Sequence, residues 1–201
     1  MGAGGLAADS KKAAAERAHL VLIDETGLLL NPLVRRTWAP KGRTPPLRAW
    51  GRYRQKVSVI AAVSISPVAR RPGLYFATET TGHFNGERVV TFLRDLLRHL
   101  RGQVVVVWDG NTNHRSVAVR EFLRRNRRLH LERLPAYAPT LNPVEAVWGW
   151  LKYAKLANFV PADVDHLDDW VVEYLVPLKC DPHLMRRLWD GSELPFPTLH
   201  P

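Results

Sequence analysis

The sequence predicts an α/β domain built on a mixed five-stranded sheet, with elements in the order β-β-β-α-β-α-β-α and helices on both faces. Three observations predict it. Three apolar, β-branched runs come first, separated by turn residues, which reads as an antiparallel meander. Apolar residues then recur at helical spacing in the later stretches. Between those stretches lie short continuous apolar runs, the kind buried on both faces of a sheet. Sequential strands followed by alternating elements place helices against a mixed sheet.

The elements follow in order. Residues 19–30 (HLVLIDETGLLL) form a buried first strand. The stretch 31–50, rich in Pro, Arg and Trp, is a loop or ribbon. Residues 55–66 (QKVSVIAAVSIS) and 73–81 (GLYFATETT) are the second and third strands. Over 86–100, Val89, Val90, Phe92, Leu93, Leu96, Leu97 and Leu100 mark one face of a helix. Residues 103–108 (QVVVVW) are a strand buried on both sides, 115–126 a basic amphipathic helix, and 129–134 a fifth strand. A helix opens at Asn142-Pro143 and runs to 157, and another covers 163–175. The expected division is a flexible lead-in over 1–17, one domain over 18–180 and an extended, partly packed C-terminal arm over 181–201.

Length and charge narrow the function. The chain has 201 residues, enough for one substantial core. Lys and Arg number 29 against 19 acids, a net charge of +10, and only seven of the 29 are Lys. Arg suits bidentate contact with phosphate, and a basic globular domain points to nucleic acid. A single cysteine, Cys180, excludes an internal disulfide framework and a cysteine zinc cluster; it fits a reducing cytosol. No apolar run reaches the roughly 18 residues of a membrane span, so the expected location is cytoplasmic.

Three acids stand out. An acid within an apolar strand is costly unless it is paired or binds a cation, and the first strand holds Asp24-Glu25. Only one of the two can face a given side of the sheet. Asp109 ends the fourth strand, and acids at the carboxyl ends of parallel strands stand where α/β sheets build sites; a turn or cap role before Gly110 fits it equally well. If strands one and four are neighbours, Asp24 and Asp109 come side by side, and their repulsion calls for a cation. Mg²⁺ takes oxygen ligands and keeps positions open for phosphate oxygens. Glu145 lies three residues after Asn142, a spacing that fits a capping box and also fits a third carboxylate held at a helix start.

Taken together, "LIDETG", "VVVVWDGNTNHRS" and "PAYAPTLNPVEAVWGWLK" resemble the three acid motifs of the DDE transposases, nearest to the bacterial insertion-sequence branch of the mariner superfamily. "RRTWAPKGRTP" resembles that branch's segment between the first two strands, and the likeness covers about 18–158. It implies a ribonuclease H-like fold. It implies Asp24, Asp109 and Glu145 as catalytic and metal-binding triad, with two Mg²⁺ ions about 4 Å apart and Mn²⁺ as a substitute ion. Cleavage and strand transfer would then proceed by phosphoryl transfer with no covalent enzyme intermediate. Glu25, Asn111 and Asn142 are expected to support the triad; the family usually has Asn directly after the second Asp, where this chain has Gly110.

DNA contacts are expected from Arg35, Arg36, Trp38, Lys41 and Arg43, which resemble a clamp loop, from His114, and from Arg120 and Arg124 with Arg127 or Arg128 along one helix side. Trp148 and Trp150 are expected to pack in the core. The partners implied are double-stranded DNA, at transposon ends and target, and a second copy of the chain. An upstream helix-turn-helix domain or reading-frame product would read the terminal repeats, since about 18 residues precede the first strand; the chain is then the catalytic half, a frameshift product or a remnant. A silent DNA-binding remnant or a general ribonuclease H-like nuclease is the alternative. All three acids are present, and the "WAPKG" and "LNPVE" segments speak against a general nuclease.

Overall fold

All five apolar runs form strands: β1 (His19–Leu29), β2 (Lys56–Ile65), β3 (Pro72–Glu79), β4 (Val104–Trp108) and β5 (Leu129–Arg133). The structure, a computed structural model, describes residues 18–48, 55–69, 71–109, 116–134 and 139–196. The sheet order is β3-β2-β1-β4-β5. β1 pairs antiparallel with β2 and β2 with β3, the expected meander. β4 lies parallel to β1 and β5 parallel to β4. β1 is therefore central, and the four valines and Trp108 of β4 are all buried between helical layers.

The helices are α1 (Gly86–His99), α2 (Val117–Arg125), α3 (Pro143–Trp150), α4 (Val164–Lys179) and α5 (Pro182–Asp190). Short polar side chains open them. Asn85 accepts from the Arg88 N–H, Ser116 from Val119 and Asp163 from His166. The pleat of β1 divides the core in two. Leu20 and Leu22 pack with α3, α4 and α5, while Val21 and Ile23 pack with α1 and α2.

Three expectations are corrected. The segment after Cys180 is not an extended arm: Pro182–Asp190 is a helix whose Met185 and Trp189 are each 1% exposed. Asp181 caps it by accepting from the His183 and Leu184 N–H groups, and Pro182 takes the first position, where no N–H is needed. The Trp189 indole then donates to Leu194 O at 3.0 Å, and Leu194 is buried, so the core continues past 180. The helix over 163–175 runs on to Lys179 through Pro177, because Leu175 and Leu178 both reach the core. The helix from Pro143 does not run unbroken to 157: at Leu151–Lys155 it widens into a π turn, closed by Leu156 N–H to Leu151 O at 2.9 Å. The lead-in over 1–17 and residues 197–201 lie outside the described residues.

Candidate active site

The strand register brings the first two acids together. In the parallel β1/β4 pair, Leu22 stands opposite Val107. Two residues further along each strand are Asp24 and Asp109, at the carboxyl end of β4. Asp24 shares the face of Leu20 and Leu22, the α3 side, and is half-buried. Glu25 turns to the opposite face by the same alternation, so the adjacent acids of β1 do not share a site.

Glu145 lies in the first turn of α3, and α3 packs on β1. The capping-box alternative can now be weighed. Asn142 does cap the helix: its side-chain oxygen accepts from the Val144 N–H at 3.1 Å. The reciprocal half is missing, because the Asn142 N–H donates to Pro139 O at 2.9 Å and has no need of the Glu145 carboxylate. Glu145 is exposed, and it borders a cleft of about 460 Å³ shared with Thr140, Asn142, Ser192 and Glu193.

Burial pushes the Asp24 carboxyl up from its ordinary 3.8 to about 6, and the charge of Glu145, then that of Asp109, push the same way. The Trp148 indole and the Glu25 backbone oppose the rise by hydrogen bonding to the ionised carboxylate. The indole Nε1–H donates to Asp24 Oδ2 at 2.9 Å. Among the described residues no three His, Cys, Asp or Glu side chains stand close enough to enclose an ion. The arrangement is an open set of oxygen donors, two of whose charges raise the cost of ionising Asp24. Such a set fits a hard divalent cation held partly by phosphate oxygens better than an all-protein cage.

The expected DNA contacts separate into two places. Arg35, Arg36, Trp38, Lys41 and Arg43 are all exposed, Trp38 fully so. The root of this loop is tied to the chain beyond α3. Leu33 bridges Ala157, the Asn158 N–H donates to Leu33 O at 2.9 Å, and the Arg35 N–H donates to Asn158 Oδ1 at 2.8 Å. Asn158 adopts φ 60°, a left-handed conformation that Asn tolerates better than most side chains. The loop tip turns at Gly42, φ 80°, with the Arg43 N–H donating to Pro40 O at 3.0 Å. Arg120 and Arg124 are exposed on α2, in the other layer. Arg128 does not join them: its guanidinium donates to the Leu97, Leu100 and Gly102 carbonyls where α1 ends. Asn111 and His114 lie outside the described residues.

The family model for DDE superfamily endonucleases matches residues 19–168, which span all five strands and both Asp24 and Asp109 as well as Glu145. The chain belongs to the DDE superfamily of endonucleases. Among solved structures, this DDE domain is similar to the Mos1 transposase paired-end complex with left transposon end, with a TM-score of 0.61 and 20% identity over 94% of this chain and 56% of that one. It is similar to the Mos1 mariner paired-end complex with Mn, with a TM-score of 0.60 and 19% identity over 92% of this chain and 56% of that one. The catalytic domain of Mos1 mariner transposase gives a TM-score of 0.53 and 18% identity, over 94% and 90% of the two chains. These likenesses establish the ribonuclease H-like fold; the chain spans little more than half the length of the first two. Comparison with curated proteins gave no match.

Two contacts at this candidate site escaped the sequence. Trp148 is in the core as expected, 2% exposed, but its polar edge reaches the site. Lys152 donates to Thr26 Oγ1 at 2.6 Å, beside Asp24 on β1. The indole contact joins residues 124 apart in the chain, and no local pattern announces it. The spacing of Trp148 and Lys152, four apart on one helical side, is the only local trace.

Proposed function

We propose that the chain is the catalytic domain of a mariner-type DNA transposase, which cleaves DNA strands and transfers the freed end to a target. The observation that carries this reading is the approach of Asp109, just past the end of β4, and of Glu145, in the first turn of α3, to Asp24 on central β1, close enough that both raise its carboxyl. The family match supports the endonuclease chemistry. The matched Mos1 structures, which carry transposon-end DNA in one case and Mn in another, support a DNA substrate and a divalent ion.

Asp24, Asp109 and Glu145 would hold Mg²⁺, with Mn²⁺ as a substitute and two ions as the proposed number. Bound divalent ions supply Lewis-acid stabilisation of the attacking and leaving oxygens in an in-line phosphoryl transfer. The chain's own side chains do the rest. Asp24 is held at the centre of the sheet, where the backbone cannot give way. Asp109 and Glu145 approach it from β4 and α3, so the three acids sit on three rigid elements. No Ser, Cys or His nucleophile is required, since water attacks first and the freed 3′-hydroxyl attacks second. The exposed loop from Arg35 to Arg43 is proposed to track phosphates close to this site. A second copy of the chain on DNA and an upstream helix-turn-helix module complete the proposed assembly.

Cleavage of transposon-end duplex in Mg²⁺, compared between the native chain and Glu145→Gln, tests the reading. The amide keeps size and hydrogen bonding and loses charge. Cleavage should vanish while the fold persists, and combining it with Asp24→Asn or Asp109→Asn should cost nothing further, because the three act as a unit. Wild-type cutting by Glu145→Gln would reduce that residue to a bystander and dissolve the triad.

A further inference from the structure

A buried indole N–H needs an acceptor, and almost any carbonyl would satisfy a purely structural tryptophan. Trp148, 2% exposed, instead takes Oδ2 of Asp24 at 2.9 Å. The contact is one of three that fix the register of α3 and its π turn on β1. Asp24 and Thr26 leave β1 on the same face, two residues apart. Trp148 and Lys152 meet them from the helix side, four residues apart, with Lys152 Nζ donating to Thr26 Oγ1 at 2.6 Å. At the start of the helix, Asn142 Nδ2 donates to Ile23 O at 3.4 Å. With three ties along the strand, the indole cannot slide off the carboxylate without moving the whole helix.

We propose that Trp148 is a positioning residue for the metal site: its N–H holds Oδ2 of Asp24 and thereby presents the other carboxylate oxygen to a divalent cation in one orientation. The inference rests on Asp24 being a metal ligand. A carboxylate free to rotate about its terminal bond offers an ion a spread of orientations, and ordering it on binding weakens affinity. A donor on the outer side of a ligand removes that spread, and loss of such a partner typically costs roughly 10–100-fold in metal affinity or activity. The packing of the indole and its N–H are separable. A ring of the same shape without the N–H would keep the core and lose only the orientation.

The test uses the full chain and Mn²⁺ alone, with binding followed by calorimetry near neutral pH. Trp148→Phe removes the N–H but also leaves a gap. Replacement of Trp148 by 3-benzothienylalanine swaps the N–H for sulfur in a ring of the same shape. The benzothienyl protein should unfold thermally like the native chain in EDTA, yet bind Mn²⁺ about 10–100-fold more weakly. The indole N–H cross-peak assigned to Trp148, absent from the Trp148→Phe spectrum, should shift when Mg²⁺ is added to the native chain. Mn²⁺ affinity of the benzothienyl protein within about twofold of native would overturn the inference while leaving Asp24 as a ligand. Equal Mn²⁺ binding by the native chain and Asp24→Asn would remove the reading beneath it, and the inference with it.

Discussion

At the residue scale, Asp24 carries a conflict between stability and its proposed role as a metal ligand. Its carboxyl is raised from 3.8 to about 6 by burial and by two neighbouring acids. A raised pKa in the folded state means the fold prefers the protonated acid. The group therefore favours folding below about pH 4, and that contribution is lost as the pH climbs through about 6. At 1.36 kcal/mol per pH unit the full effect is roughly 3 kcal/mol. Without metal, Asp24→Asn should therefore be more stable than the native chain at neutral pH by about 1–3 kcal/mol, with the advantage gone near pH 4. Urea unfolding in EDTA across that range measures it. Added Mg²⁺ should stabilise the native chain and leave Asp24→Asn unchanged. The same substitution should abolish cleavage, an instance of a site kept at a cost to the fold.

At the scale of elements, α5 and the π turn are where structure departs most from the sequence pattern. α5 closes the layer that also holds the Glu145 helix, and the Glu193 N–H that follows it donates to Thr140 O at 2.8 Å, beside the entrance to α3. Trp189→Ala should cost about 3–5 kcal/mol in urea unfolding, as expected for a large aromatic removed from a core. A chain ending at residue 180 should lose cooperative unfolding. If Trp189→Ala unfolded like the native chain, the segment would be the loosely attached arm that its prolines suggest. The start of α5 was legible after all, since Asp181-Pro182 is a cap followed by a first-position proline. The π turn was not, because the apolar spacing of Leu151 and Leu156 is a register choice that packing makes.

At the scale of the whole molecule, charge is divided between two surfaces. The loop of Arg35, Arg36, Lys41 and Arg43 is anchored beside α3, whereas Arg120 and Arg124 stand on α2 across the sheet. Each phosphate neutralised adds about 0.9 to the slope of log affinity against log salt. The double substitution Lys41→Ala and Arg43→Ala should therefore flatten that slope by about 1.8. Fluorescence anisotropy with labelled duplex at several salt concentrations reads it. Phosphate contacts carry no base information, so preference for transposon ends over scrambled duplex should stay below roughly 10³-fold for this chain. An unchanged slope would take the loop out of the DNA path.

The sequence by itself determined the meander, the buried fourth strand, the acid on each of three elements and the basic, Arg-rich character. Those features are local: a period of two or 3.6, a cap, a proline, a net charge. That Asp24 and Asp109 are neighbours was conditional in the sequence, because strand order is a non-local choice; the parallel β1/β4 register decided it. The capping-box reading of Glu145 was also decided in three dimensions, where the Asn142 N–H is taken by Pro139 O and the carboxylate lies near enough to Asp24 to raise its carboxyl. The same is true of Arg128, indistinguishable from its neighbours as a charge but spent on the carbonyls that end α1. Trp148 shows the limit most plainly. Its apolar body wrote it into the core, and only the packing of α3 on β1 aimed its one polar atom at Asp24, the acid at the centre of the proposed site.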